Sequence, residues 1–219
     1  MIKALATSLI VLASTTSTSA EQLTRVDIGS KALLVIAGDF TEGTAARTDT
    51  FLNMNPDIRE VAFNSRGGMA KEGVALADVL WEHDIKATVN KGYICLSACA
   101  FAFIGASDMR IDGILGFHNG YIPAQEAMSI KKADLVNMSI HLGTLTVMHF
   151  MENGFGFELP LVIAAYSNKN TFIVFRDEVA LLKFTTGPLV EEQLTYNVDD
   201  YWLKDHVVTS QQLVLEGYM

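Results

Sequence analysis

The sequence predicts an α/β domain with a mostly parallel sheet, on three observations. Short apolar runs recur along the first half of the chain, and each ends at Gly, Asn, Asp or Ser. Between them lie longer stretches whose apolar residues return every three or four positions, the period of a helix with one buried face. Strands that alternate with helices in this way favour parallel neighbours, because each helix carries the chain back across the sheet. Half of the 219 residues are hydrophobic, enough to fill the core of one domain.

The elements follow in order. Ala32–Ala37 is an apolar run closed by Gly38-Asp39, a buried strand. Residues 41–55 have a helical pattern that stops before Pro56. Glu60–Phe63 is a second strand. Lys71–His83 carries Val74, Leu76, Ala77, Leu80 and Trp81 at helical spacing, and Lys86–Val89 is a third strand. Residues 97–104 form a helix of small apolar residues. Met109–Ile111 and Ile114–Phe117 are short strands around an Asp112-Gly113 turn. Residues 124–152 form one long helix, with Gly143 the place for a break or kink, and a further helix starts near Pro160. Residues 171–174 and 180–184 are expected as edge strands, and the polar tail from Pro188 has no clear pattern.

The first 20 residues stand apart. Lys3 gives a positive start, residues 4–13 are apolar, and Thr18-Ser19-Ala20 places small residues before a cut. This is the layout of a secretory signal peptide cleaved after Ala20, which makes residues 21–219 a single exported domain, secreted or periplasmic. The apolar run is too short for a bilayer, which needs about 20 residues, and no later run is long enough. No integral membrane segment is therefore expected after the leader is removed. The net charge of −9 lacks the basic footprint that phosphate backbones require, so nucleic acid is not an expected partner. A neutral or cationic peptide or protein substrate is compatible with that charge. No Cys/His cluster or HExxH motif is present, so neither a metal nor another cofactor is expected; His141 and His149 share a helix without further ligands.

Three segments carry candidate chemistry, and each also has an ordinary structural reading. Asn64-Ser65-Arg66-Gly67-Gly68 follows a strand and precedes a helix. It is a strand-to-helix turn, or a place where a main-chain N–H is left open to an anion. In Gly92-Tyr93-Ile94-Cys95-Leu96-Ser97-Ala98-Cys99 a serine stands where a helix begins. It is either a plain N-cap or an elbow that exposes its hydroxyl. His118, in Gly116-Phe117-His118-Asn119-Gly120, follows a strand between glycines and has the chemistry of a general base for serine. The two cysteines, Cys95 and Cys99, flank the serine; they form either a disulfide, if Cys95 lies before the helix, or two buried thiols.

The order of these segments resembles the Clp protease (ClpP) family and its crotonase-like superfamily. The matching residues are Asn64-Ser65-x-Gly67-Gly68, Glu72-Gly73, Ser97-Ala98 and Gly116-Phe117-His118, over roughly residues 30–155. The flanking cysteines are similar to an exported ClpP-like branch. The resemblance implies a spiral of β-β-α units and a serine peptidase. Ser97 would be the nucleophile, His118 the general base, and the main chain at Gly67, Gly68 and Ala98 the oxyanion hole. It also implies a homo-oligomer.

Two features depart from the family. Arg66 stands where proline is common, and no acid marks the third member of a triad. Asn168 and Asn170, which follow the long helix, are the candidates to orient the imidazole, with Asp177 a further one. Two other readings stay open: a Ser–Lys dyad using Lys131 or Lys132, and a non-catalytic binding or assembly module of the same fold.

Overall fold

The structure is a computed structural model that describes residues 20–122, 124–185 and 204–219. Two sheets organise it. The first has five strands in the order β1 (Gln22–Ile28), β2 (Lys31–Ala37), β3 (Glu60–Asn64), β4 (Lys86–Val89) and β6 (Asp108–Ile111). β1 and β2 form an antiparallel hairpin, and every other pairing in this sheet is parallel. The second sheet has the order β5 (Ile94–Leu96), β7 (Ile114–Phe117), β8 (Thr171–Phe175) and β9 (Val207–Thr209). Here β5 and β7 are parallel and the rest antiparallel. The expected α/β class holds, with the strands divided between two sheets.

Helices α1 (Thr44–Met54), α2 (Ala70–Glu82) and α3 (Ala98–Phe103) connect the strands. They are followed by α4 (Ala124–Ser129), α5 (Lys132–Glu152), α6 (Glu158–Tyr166), α7 (Glu178–Leu182) and α8 (Ser210–Leu215). The sheets are joined where β3 ends. Ser65 donates its N–H to the Ile94 carbonyl at 2.8 Å and accepts from the Leu96 N–H at 3.0 Å, so β5 starts as a continuation of β3's hydrogen bonding.

The central strands are buried on both faces: Val61, Ala62 and Phe63 in β3 expose nothing. That explains why they read as continuous apolar runs rather than alternating ones. A chain of buried aromatics crosses the interior. Phe63 meets Phe103 at 6.3 Å between ring centroids, and Phe101, Phe117 and Phe150 form a second group with centroids 5.3–6.4 Å apart. These tilted and edge-on contacts are the favoured geometry for ring pairs.

Helix α3 is small-residue and wholly buried, which lets α2 approach it closely. A Cβ at Gly73 would lie 2.2 Å from the Ala98 carbonyl oxygen, and one at Gly105 would lie 2.4 Å from the Ala77 Cβ. Glycine at both positions is therefore a packing requirement.

Four expectations need correction. The long helix breaks at residues 130–131, where Lys131 is extended with φ −62° and ψ 142°, and not at Gly143, which lies inside α5 with open space around it. Residues 180–184 are not a strand: Asp177 accepts the Ala180 N–H at 2.8 Å and caps α7 there. The strands around Asp112-Gly113 do not pair with each other; the turn hands the chain from the first sheet to the second. β1 and β5 were not anticipated, the first because it is half exposed and carries Arg25 and Asp27, the second because it is hidden in one apolar run with α3. The expected leader falls outside the described residues, apart from Ala20, and so do residues 186–203 at the start of the tail.

Two alanine substitutions separate packing from propensity. Gly73→Ala should lower the unfolding free energy by about 1–3 kcal/mol in denaturant titration, because the added methyl meets backbone. Gly143→Ala, also inside a helix but with nothing nearby, should leave stability unchanged or raise it by up to about 1 kcal/mol.

Candidate active site

Ser97 occupies the turn between β5 and α3 with φ 58° and ψ −123°. A residue with a Cβ held at positive φ costs about 1–3 kcal/mol, so its surroundings must over-determine it. Its N–H donates to the Gly116 carbonyl at 2.8 Å, and its carbonyl accepts from the Phe101 N–H at 3.2 Å. Cys95 and Cys99 are joined by a disulfide, with Cα atoms 5.1 Å apart, which ties the strand to the helix across this residue. Cys95 lies in β5, before the helix, the placement that such a bridge needs. Gly67 closes the other side. At φ 96° a Cβ there would lie 2.5 Å from the Leu96 carbonyl and 2.8 Å from the Ser97 Cβ.

The Ser97 hydroxyl makes no capping bond to α3. It points instead at His118, with Oγ and Nε2 2.7 Å apart. His118 follows β7, the parallel neighbour of β5. Its Nδ1 is 2.7 Å from the carbonyl oxygen of Asn119. A carbonyl can only accept, so Nδ1 carries the proton and Nε2 presents a lone pair to the serine hydroxyl. The ring is only 7% exposed. Phe172 stands edge-on to it at 5.0 Å between centroids, and Tyr121 lies at 5.8 Å. Burial holds the imidazole pKa below its ordinary value, and the bond to the Asn119 carbonyl offsets part of that shift. A pKa held below 6.5 leaves the imidazole mostly uncharged at pH 7.

Of the three main-chain positions expected in the oxyanion hole, Gly67 already donates its N–H to Ser65 Oγ at 3.0 Å, Gly68 lines the cleft, and Ala98 follows Ser97 but is fully buried and does not line it. Phe40 donates its N–H to the Gly67 carbonyl at 2.7 Å and accepts from the Met69 N–H at 3.0 Å. That pattern skips the Gly68 N–H. Among the described residues neither it nor the Ala98 N–H has a protein acceptor. Gly67, Gly68, Ser97 and His118 all line one cleft of about 750 Å³. Four charged residues, Asp39, Arg66, Lys71 and Lys169, also line it. Burial raises the Asp39 pKa, and the Arg66 charge offsets this. Past Phe101 and Leu142 the cleft adjoins a second cavity of about 350 Å³. Val74, Leu145 and Met148 line it, with Asp78, His149 and Glu152.

Neither Asn168 nor Asn170 bonds to the imidazole, whose two nitrogens are both engaged elsewhere. Asn168 Oδ1 accepts the Asn170 N–H at 2.9 Å within a turn, and Asn170 lines the cleft while its carbonyl accepts from the Ser210 N–H at 2.9 Å. Asp177 is the cap of α7. The residue at Nδ1 is Asn119, through a main-chain carbonyl, and no side-chain type in the sequence could have marked it. Lys131 and Lys132 are exposed at the start of α5 and do not line the cleft. His149 is buried, with Nε2 2.8 Å from the Phe101 carbonyl, and His141 is exposed. Among the described residues no group of three or more His, Cys, Asp or Glu side chains could hold a metal ion. No helix among them is long and apolar enough to cross a membrane.

No protein-family profile matches the chain, and no curated protein matches it. Among solved structures it is similar to a mutant of ClpP1 from Listeria monocytogenes, with a TM-score of 0.45 and 14% identity. The match covers 65% of this chain and 81% of that one.

Both buried histidines, His118 and His149, have pKa values below the ordinary 6.5, with burial the first cause. The unfolded chain therefore takes up protons before the folded one does. Stability should be level above about pH 6.5 and fall as pH drops through 6.5 toward the lower folded values. Denaturant midpoints measured between pH 8 and 5 should show this slope, and His149→Gln should flatten it. A midpoint independent of pH over that range contradicts the assignment.

Proposed function

We propose that the protein is an exported serine hydrolase, most simply a peptidase of the ClpP-like type on a spiral of β-β-α units. One observation carries this reading: the Ser97 hydroxyl lies 2.7 Å from the bare nitrogen of a buried, neutral imidazole whose other nitrogen is bound to a carbonyl. A serine hydroxyl is a weak nucleophile until a base takes its proton, and this is the arrangement that does so. Export, with the leader removed after Ala20, is part of the proposal. The Cys95–Cys99 disulfide suits an oxidising compartment.

The chemistry follows from the geometry. A substrate carbonyl enters the cleft beside Ser97. As Oγ attacks the carbonyl carbon, its proton passes to His118 Nε2. The carbonyl π pair moves to oxygen, and the Gly68 and Ala98 N–H groups are the donors to hold that charge. The tetrahedral species then collapses, and the imidazolium returns its proton to the leaving group. Water repeats the sequence on the acyl-enzyme. Each main-chain donor in such a hole is worth about 10²–10³ in rate. The adjoining cavity past Phe101 and Leu142 offers room for an apolar substrate side chain. Unaided by a nucleotide-driven unfoldase outside the cell, such a peptidase acts on short or unfolded chains, alone or as a homo-oligomer.

A fluorophosphonate probe tests this reading. The wild-type protein should be labelled, Ser97→Ala should abolish labelling, and His118→Ala should slow it by about 10²–10⁴. The labelling rate should rise with pH through a value below 6.5, where His118 loses its proton, and level off above it. Lys131→Ala and Lys132→Ala should label normally; loss with either, alongside normal labelling of His118→Ala, favours a Ser–Lys dyad. Folded wild-type protein that no such probe labels points to a binding or assembly module.

A further inference from the structure

We infer that Ser167 is a positioning residue for His118, acting through Asn119. On its Nδ1 side the imidazole is held by one bond, to the Asn119 carbonyl, so whatever fixes Asn119 fixes which nitrogen carries the proton. Asn119 follows His118 in a segment that belongs to no strand or helix. Two bonds hold it, and both go to the last turn of α6. Its main-chain N–H donates to Ser167 Oγ at 2.9 Å, and its side-chain Nδ2 donates to the Ala164 carbonyl at 3.0 Å. The Ser167 hydroxyl is itself anchored, donating to the Ile163 carbonyl at 2.6 Å, and the residue is buried.

The geometry makes Ser167 hard to replace. Its hydroxyl is the C-terminal stop of α6 and the acceptor for Asn119 at once, donating to one partner and accepting from the other. Without the oxygen, the Asn119 N–H beside a buried ring loses its acceptor, a penalty relieved by letting the segment turn. The carbonyl then no longer faces Nδ1. With Nδ1 released, the ring can place its proton on either nitrogen, and a proton on Nε2 cannot be reconciled with accepting one from Ser97. Helix α6 and a hydroxyl thus supply the orientation that a carboxylate gives in a Ser-His-acid triad.

The kinetic side of this inference rests on the Ser–His reading, but its structural side does not. The full chain, uniformly labelled with ¹⁵N at histidine, reports the His118 tautomer directly, with His118→Gln identifying its signals. At pH 7.5 wild-type His118 should be the Nδ1–H form. Ser167→Ala should give a mixture of tautomers and slow fluorophosphonate labelling by about 10–100-fold, and Ser167→Thr, which keeps the hydroxyl, should restore both. A Ser167→Ala protein that keeps the Nδ1–H form and the wild-type labelling rate overturns the inference, whatever its melting temperature. If Ser167→Ala does not fold, Ser167→Cys, whose thiol is only a weak acceptor, takes its place, and an unchanged tautomer together with a wild-type labelling rate there overturns the inference instead. If the wild type is never labelled, the hydrolase reading falls while the tautomer comparison still decides the role of Ser167.

Discussion

The structure depends on holding one residue in a conformation that its side chain resists. Ser97 has φ 58°, and the strain of that value has to be carried by neighbours that are themselves rigid. Those neighbours come from four places in the chain. β7 supplies the carbonyl that accepts the Ser97 N–H, and the end of β3 supplies the bonds that start β5. Gly67 supplies absence of bulk, and the disulfide supplies a covalent tie. Helix α2 then presses on α3 through Gly73, so the far side of the turn cannot relax. Removing any one of these leaves the others to carry the distortion, which is why so many small residues gather around one hydroxyl.

The electrostatic setting is as specific as the backbone. Two opposed terms act on His118. Burial against Phe172 and Tyr121 disfavours a charge on the ring, and a hydrogen bond from Nδ1 to a carbonyl favours it. Burial is the larger, so the resting ring is neutral. A carbonyl dipole would stabilise a protonated ring less than a full negative charge does, and it adds no charge at Nδ1. Charge enters the cleft through other residues that line it, Arg66, Asp39, Lys71 and Lys169.

How much of this was legible in the sequence follows from where each signal lives. The strands β2, β3 and β4 and helices α1 and α2 were legible because apolar residues recur at their own periods and Gly, Pro, Asn or Asp lies at or just past the end of each. That Ser97 and His118 meet was implied by the resemblance of their segments, in order, to the Clp protease family; each alone reads equally as a helix cap or a structural histidine. β5 was not legible, because three buried residues of strand merge with six buried residues of helix in one apolar stretch. The break before α5 was not legible either, since Lys131 looks like any helix residue while Gly143, the obvious breaker, is tolerated on an exposed face. The partner of Nδ1 is a main-chain carbonyl, and every residue has one. The side chains that hold it, Asn119 and Ser167, lie 48 positions apart, so only the folded chain brings them together.

The parallel pairing of β5 with β7 acts as a ruler. Leu96 is opposite Gly116 in that register, so the hydroxyl leaves one strand one residue past the match and the imidazole leaves its neighbour two residues past it. Adjacent strands are about 4.8 Å apart, a spacing set by hydrogen bonds and indifferent to side chains. The ladder thereby sets the spacing between the two groups, while the bonds at Asn119 set how the ring is turned. A deletion of a single residue within Ile114–Phe117 would leave the sheet paired yet turn position 118 to the opposite face.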